Sequence, residues 1–338
     1  MTPVHPLLDR LRPIHRRIRD ALVGSTTRAA AETLARVDAD EGTGDTIYAI
    51  DRIAEDVVVA EVDRAIAQDA PVLLVAEGLP DGQVVLPRGA PPDRVQWVIV
   101  MDPIDGTRGL MYQKRPAWIL TGVAPVGPDG PFAARLRDIE LALQTEIPLV
   151  KQHLCDELWA VRGQGAAALR WDRLTGTSTP LRLAPSRARD LRHGFATIAR
   201  FFPGGRATLA AIDDEIAETL LGPPRTGKAL LFEDQYISTG GQLYELMTGR
   251  DRFIADLRPL VAGTHGAASG LSCHPYDLCT ALIAQESGAI LTDAAGAPLD
   301  APLDVSAEVA WVGYANGAIR ALVEPVLRAA LARHGITP

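Results

Sequence analysis

Two carboxylates three positions apart, Asp102 and Asp105, follow an apolar run in the stretch Trp97-Val98-Ile99-Val100-Met101-Asp102-Pro103-Ile104-Asp105-Gly106-Thr107. Carboxylates this close repel each other unless a cation lies between them. Gly106 lets backbone approach a ligand closely, and the amides after it can open a helix that favours an anion. The chemistry these residue types suit is a metal and phosphate site. The competing reading is structural: Asp102 caps a turn and Asp105 caps a helix, both common roles for Asp.

The elements that must position these groups follow from the local pattern. Val98 to Met101 are bulky or β-branched and uncharged, which predicts a buried strand. Pro103 cannot donate to a ladder and is expected to end it. Asp102 would then stand at the strand's C-terminal edge, where open α/β sheets place their ligands. Three further segments repeat the theme. Asp51 lies between a short strand at 46–50 and a helix reaching about Gln68. Glu77 follows the apolar strand Val72-Leu73-Leu74-Val75. Asp277, in His274-Pro275-Tyr276-Asp277, is expected to open a helix over 278–287.

Apolar residues at three- and four-residue intervals predict a helix over 5–37, with a break possible at Gly24-Ser25-Thr26-Thr27. Strands are expected over 118–124 and somewhere within 131–146, and a hairpin pairs 158–161 with 166–171. Pro185 and Ser186, followed by Arg187 and Arg189, mark a boundary near residue 187. This divides the chain into 1–187, carrying most of the acidic candidates, and 188–338, carrying Asp277. The second part reads as strand 194–199, helix 207–221, strand 229–232, helix 239–248, strand 289–292 and a final helix 317–333. Alternation of this kind predicts a mixed or parallel α/β sheet.

The 338 residues suffice for one large or two smaller cores. A net charge of −8 argues against coating nucleic acid, which wants a basic face. An acidic protein that handles phosphate esters would draw local positive charge from bound divalent cations. The first twenty residues lack a signal-type apolar core, and no run of about 18 apolar residues occurs. A cytoplasmic chain without a membrane segment is therefore expected. Cys155, Cys273 and Cys279 show no zinc spacing and read as free thiols. Gly222-Pro223-Pro224-Arg225-Thr226-Gly227-Lys228-Ala229 imitates a phosphate-binding loop, but Ala229 offers no hydroxyl and the two prolines remove amides the loop would need. His265 and His274 lack ligand spacing, and His274 reads as a packed or hydrogen-bonded histidine.

Taken together, Asp51, Glu77, Asp102-Pro103-Ile104-Asp105-Gly106-Thr107 and Tyr276-Asp277 resemble the inositol monophosphatase family. That family lies in the lithium-sensitive phosphatase superfamily with fructose-1,6-bisphosphatases and 3′-phosphoadenosine-5′-phosphate phosphatases. Ser287-Gly288-Ala289-Ile290-Leu291-Thr292-Asp293 and Gly313-Tyr314-Ala315-Asn316 are similar to its later segments. A haloacid-dehalogenase loop also ends in Asp-Gly-Thr, but its two Asp residues are separated by one position, not by the Pro103-Ile104 pair.

The resemblance implies a layered α/β/α/β/α sandwich and a Mg²⁺-dependent phosphomonoesterase. Glu77, Asp102 and the Ile104 carbonyl would hold one Mg²⁺, and Asp102, Asp105 and Asp277 a second, within a total of two or three ions. Thr107, oriented by Asp51, would position the attacking water, and the amides of Gly106 and Thr107 would grip the phosphate. Oxygen ligands suit Mg²⁺, and paired ions suit in-line phosphoryl displacement. The implied partner is a small phosphorylated sugar, cyclitol or nucleotide, and the implied assembly a homodimer. Three departures bear on substrate: Gly78 and Tyr276 replace the family's usual Glu and Trp, and Gly270 aligns with a Glu that contacts inositol hydroxyls. A bisphosphate-specific enzyme and a catalytically silent binding homologue are the alternatives. Arg108, Lys114 and Arg115 are candidate contacts for a second anionic group, with a solvated face as the other reading.

Overall fold

The computed structural model describes residues 5–28, 37–39, 47–48, 57–224, 226–262 and 271–337. Among them, β1 (Val37–Ala39) and β2 (Ile47–Tyr48) form a small antiparallel pair. The strand at 37–39 corrects the expected continuation of the first helix to residue 37. The main sheet has eight strands in the order β10-β9-β8-β7-β6-β5-β3-β4. These are β3 (Val72–Ala76), β4 (Gln83–Leu86), β5 (Trp97–Asp105), β6 (Ala117–Pro125), β7 (Leu141–Ile147), β8 (Leu154–Val161), β9 (Ala166–Asp172) and β10 (Thr177–Leu181). Only β3 and β5 run parallel in this sheet. The second sheet has the order β12-β11-β13-β15-β14, built from β11 (Gly194–Ile198), β12 (Leu231–Phe232), β13 (Asp251–Asp256), β14 (Ile290–Thr292) and β15 (Trp311–Tyr314).

Helices fill the remaining layers. α1 (Leu8–Arg28) runs unbroken through Gly24 to Thr27. It packs with α2 (57–67) on one face of the main sheet, against Val72, Leu74, Ile99 and Met101. The opposite face, carrying Leu73, Val75, Val98 and Val100, shares a core with Leu243, Leu246, Leu282 and Ile283. That β5 is buried on both faces explains its continuous apolar sequence, since neither side can afford polar alternation. After α3 (Thr107–Met111) and α4 (Arg206–Leu221) come α5 (Thr239–Met247), α6 (Arg258–Ala262), α7 (Ala281–Ser287) and α8 (Gly317–Arg333). α5 and α7 lie between the sheets, and α4 and α8 cover the far face of the second sheet through Phe253, Ala255, Val312 and Tyr314. The order is helix, sheet, helix, sheet, helix, the expected α/β/α/β/α sandwich.

Two local readings need correction. β5 does not stop at Pro103 but continues to Asp105. Its register against β6 passes from Asp102↔Leu120 to Asp105↔Trp118, so three steps on β5 face two on β6. This bulge absorbs the proline that a regular ladder would reject. Similarly, Asp277 does not open a helix. It lies in a run of turns, and α7 begins at Ala281. Other expectations hold: the strand within 131–146 is β7, and the hairpin is β8–β9. Cys155, Cys273 and Cys279 are free and buried, and no helix among the described residues is long and apolar enough to cross a membrane.

One buried polar contact fastens α1 to the main sheet. The fully buried His15 ring places Nδ1 2.9 Å from Thr145 Oγ1 and Nε2 2.8 Å from Thr121 Oγ1. Burial lowers its pKa to about 3. The folded chain therefore keeps His15 neutral at pH values where the unfolded chain, titrating at 6.5, binds a proton. His15 leaves stability intact above pH 6.5 and lowers it as pH falls from there toward 3, by about 1.4 kcal/mol per unit. Urea denaturation between pH 7 and 5 is expected to show this slope in the wild type and a flatter one in His15→Gln. Equal slopes would refute the assignment.

Candidate active site

The parallel register Ala76↔Met101 is the last β3–β5 pair, so the next residues, Glu77 just past β3 and Asp102 within β5, follow side by side. The bulge then carries the chain to Asp105. Gly106 follows at φ 96°, a left-handed conformation that turns the chain into α3, and a Cβ there would stand 3.0 Å from Ser238 Cβ. Asp277 arrives from the other half of the sequence. One carboxylate oxygen from each of Asp102, Asp105 and Asp277 lies within 4.8 Å of the others. Asp102 and Asp105 are buried and Asp277 is half-buried.

Neutral donors hold these groups. Asp102 accepts from the Ile104 amide at 2.9 Å. Asp105 accepts from the Ser238 hydroxyl at 2.7 Å, the Gly240 amide at 2.6 Å and the Thr239 amide at 3.2 Å. Asp277 accepts from the His274 amide at 2.6 Å. Burial nevertheless dominates the electrostatics. It raises the Asp102 carboxyl well above its usual range, and Asp105, Asp277 and Glu77 add to the rise. Burial pushes Asp105 up to about 6 against the pull of its three donors. Asp277 is raised by burial and then by Asp105 and Glu77. Burial makes all three carboxyls resist ionisation, and nearby carboxylates add to this at Asp102 and Asp277, the condition a cation would relieve.

The groups line a cleft of about 80 Å³ together with Ile104, Gly106, Thr107 and Arg108. The Thr107 hydroxyl donates to the Ile104 carbonyl at 2.8 Å, joining two of the expected site residues. Asp51, its expected orienting partner, and Gly270 lie outside the described residues. The cleft is also lined by Phe201, Phe202 and Arg258, which the sequence did not single out. Phe201 and Phe202 meet edge to face with centroids 4.9 Å apart, and Arg206 donates to both of their carbonyls. Arg258 stacks 4.3 Å over Phe201, pairs through both nitrogens with the fully buried Asp256, and donates to the Leu271 carbonyl. Its only local signal is the short apolar run Phe253-Ile254-Ala255 leading into Asp256-Leu257-Arg258. Ser238 was equally legible as the cap before Thr239-Gly240-Gly241, but nothing local says what its hydroxyl and the following amides face.

Arg108 lines the cleft and lies 5.1 Å over Phe202, whereas Arg115 pairs with Asp234 away from it. His274 is hydrogen-bonded as expected, with Nδ1 2.9 Å from the Ala307 carbonyl, and it stacks on Tyr276. The imitation phosphate loop follows α4 rather than a strand. Close packing around Asp105 is testable. A Cβ on Gly240 would lie 2.6 Å from Leu120 Cδ2 and 2.9 Å from Asp105 Oδ2. Gly240→Ala is expected to cost about 1–3 kcal/mol by overpacking and to weaken Mn²⁺ binding in a calorimetric titration, and wild-type values in both would contradict this geometry.

No family model matches the chain, and no curated protein matches it by sequence. Solved structures do match over nearly its whole length. Extragenic suppressor protein SuhB from Bartonella henselae is 16% identical with a TM-score of 0.62, over 96% of this chain and 99% of its own. Fructose-1,6-bisphosphatase from Leishmania major is 13% identical with a TM-score of 0.69, over 97% and 94%. A gene product described as inositol monophosphatase-fructose 1,6 bisphosphatase is 15% identical with a TM-score of 0.63, over 94% and 98%. The chain has the fold of the inositol monophosphatase and fructose-1,6-bisphosphatase superfamily.

Proposed function

We propose that the protein is a metal-dependent phosphomonoesterase acting on a small phosphorylated metabolite. The observation that carries the reading is the convergence of Asp102, Asp105 and Asp277, from distant parts of the sequence, within 4.8 Å. Named phosphatases among the structures of the same fold support it.

The residues fit a hard divalent cation such as Mg²⁺. The donors are all oxygen, they are crowded and buried, and Arg258, the guanidinium beside them, is already engaged by Asp256. Asp102, Asp105 and Asp277 would hold the metal, with Glu77 and the Ile104 carbonyl as further ligands. When bound, divalent ions neutralise phosphate charge and lower the pKa of a coordinated water. The chain supplies the positioning. Ser238, Thr239 and Gly240 orient Asp105, the Ile104 amide orients Asp102, and the His274 amide orients Asp277. Gly106 and Thr107 would present amides to the phosphate. The Thr107 hydroxyl, with Asp51 as its partner, would hold the attacking water in line. Positioning of this kind carries most of the rate in phosphoryl transfer.

Turnover of p-nitrophenyl phosphate is expected with Mg²⁺ and to cease with EDTA. Asp102→Asn and Asp277→Asn are each expected to lower kcat/KM by at least about 100-fold, on the scale of a lost transition-state electrostatic contact. Hydrolysis that survives EDTA would refute the metal-dependent reading, and its absence in the wild type would favour the binding homologue. A panel of inositol phosphates, sugar bisphosphates and nucleotide phosphates is expected to give at least one substrate with kcat/KM well above that of the artificial ester. Inhibition by LiCl, cytoplasmic residence and a homodimer are the further expectations of this reading.

A further inference from the structure

Gln144 is fully buried near the middle of β7, facing the core between the two sheets. Its register partners are Leu120 on β6 and Leu158 on β8, so an apolar side chain would be the ordinary occupant. Its amide instead makes two directed contacts. Nε2 donates to the Gly240 carbonyl at 2.8 Å, and Oε1 accepts from the Thr280 hydroxyl at 3.0 Å. The orientation is unambiguous, because a carbonyl can only accept.

The two partners belong to the supports of two different carboxylates. The Gly240 amide donates to Asp105 Oδ2. Thr280 is three residues past Asp277, within the same run of turns. A continuous path therefore leads from Asp105 through Gly240, Gln144 and Thr280 to the segment of Asp277.

We propose that Gln144 is a positioning residue that locks the Asp105 support to the Asp277 support and holds the carboxylate cluster assembled in the metal-free chain. Its consequence for turnover rests on the phosphatase reading, but the mechanical coupling does not.

Three variants separate the links. Gln144→Glu, in its ionised form, turns the donor toward Gly240 into an acceptor while leaving an acceptor for Thr280. Thr280→Val removes the hydroxyl at nearly constant shape, and Thr280→Ser restores it. Hydrogen exchange without divalent ions is expected to accelerate at both 236–241 and 275–282 in Gln144→Glu and in Thr280→Val, and to match wild type in Thr280→Ser. Mn²⁺ affinity is expected to fall about tenfold or more in the first two, as when groups that orient metal ligands are lost, with a smaller change in kcat at saturating Mn²⁺. Exchange confined to the mutated segment, or a lowered Tm with unchanged Mn²⁺ affinity, would overturn the proposal. If Gln144→Glu does not fold, Thr280→Val decides by its effect at 236–241. A wild type that neither binds Mn²⁺ nor hydrolyses the ester would overturn the phosphatase reading, and the exchange data would still decide the role of Gln144.

Discussion

Mutual repulsion among carboxylates in a place of low polarity is the constraint the rest of the molecule answers. Asp102, Asp105 and Asp277 are close enough to share an ion, and burial penalises each charge. Left to themselves, such groups would separate or stay protonated. They are held by backbone amides and one hydroxyl, donors that cost no opposing charge in the cleft. A guanidinium in the same place would neutralise the cluster and compete with any cation. Arg258 eases the charge on Asp105 and Asp277 from one side, but it is itself held by a two-point engagement with Asp256.

The layered architecture makes that arrangement possible. β3 and β5 run parallel, so their carboxyl-terminal ends deliver Glu77 and Asp102 to one edge. The bulge in β5 extends the strand past Pro103 and sets Asp105 toward the start of α5. α5 and α7 lie between the sheets, and the start of α5 and the turns before α7 bring Asp105's donors and Asp277 to the cleft. A site made this way belongs to neither sheet. It depends on the packing of the middle layer, where Gln144 and Thr280 place hydrogen bonds among largely apolar neighbours.

The cleft lining beyond the carboxylates has a different character. Phe201 and Phe202 contribute to it, with Arg108 and Arg258 stacked on their rings. The loop at Gly204-Gly205-Arg206 shapes this lining through Arg206, which fixes both phenylalanine carbonyls.

The sequence alone carried the fold class and the acidic candidates. Each signal was local: an apolar run ending in Asp102-Pro103-Ile104-Asp105-Gly106-Thr107, a carboxylate after the strand of Val72, and Tyr276-Asp277 at an expected helix start. Strand and helix periodicity reports burial, so long elements such as α1, β5 and α8 were legible. The bulge at Pro103 was not, because it exists only against the register of β6. Nor was the late start of α7, which follows from the turns that hold Asp277. Nothing local marks Ser238, Gly240 or Gln144 as supports of the site. Their meaning comes from partners more than ninety positions away, and contacts over that separation are decided by how layers pack.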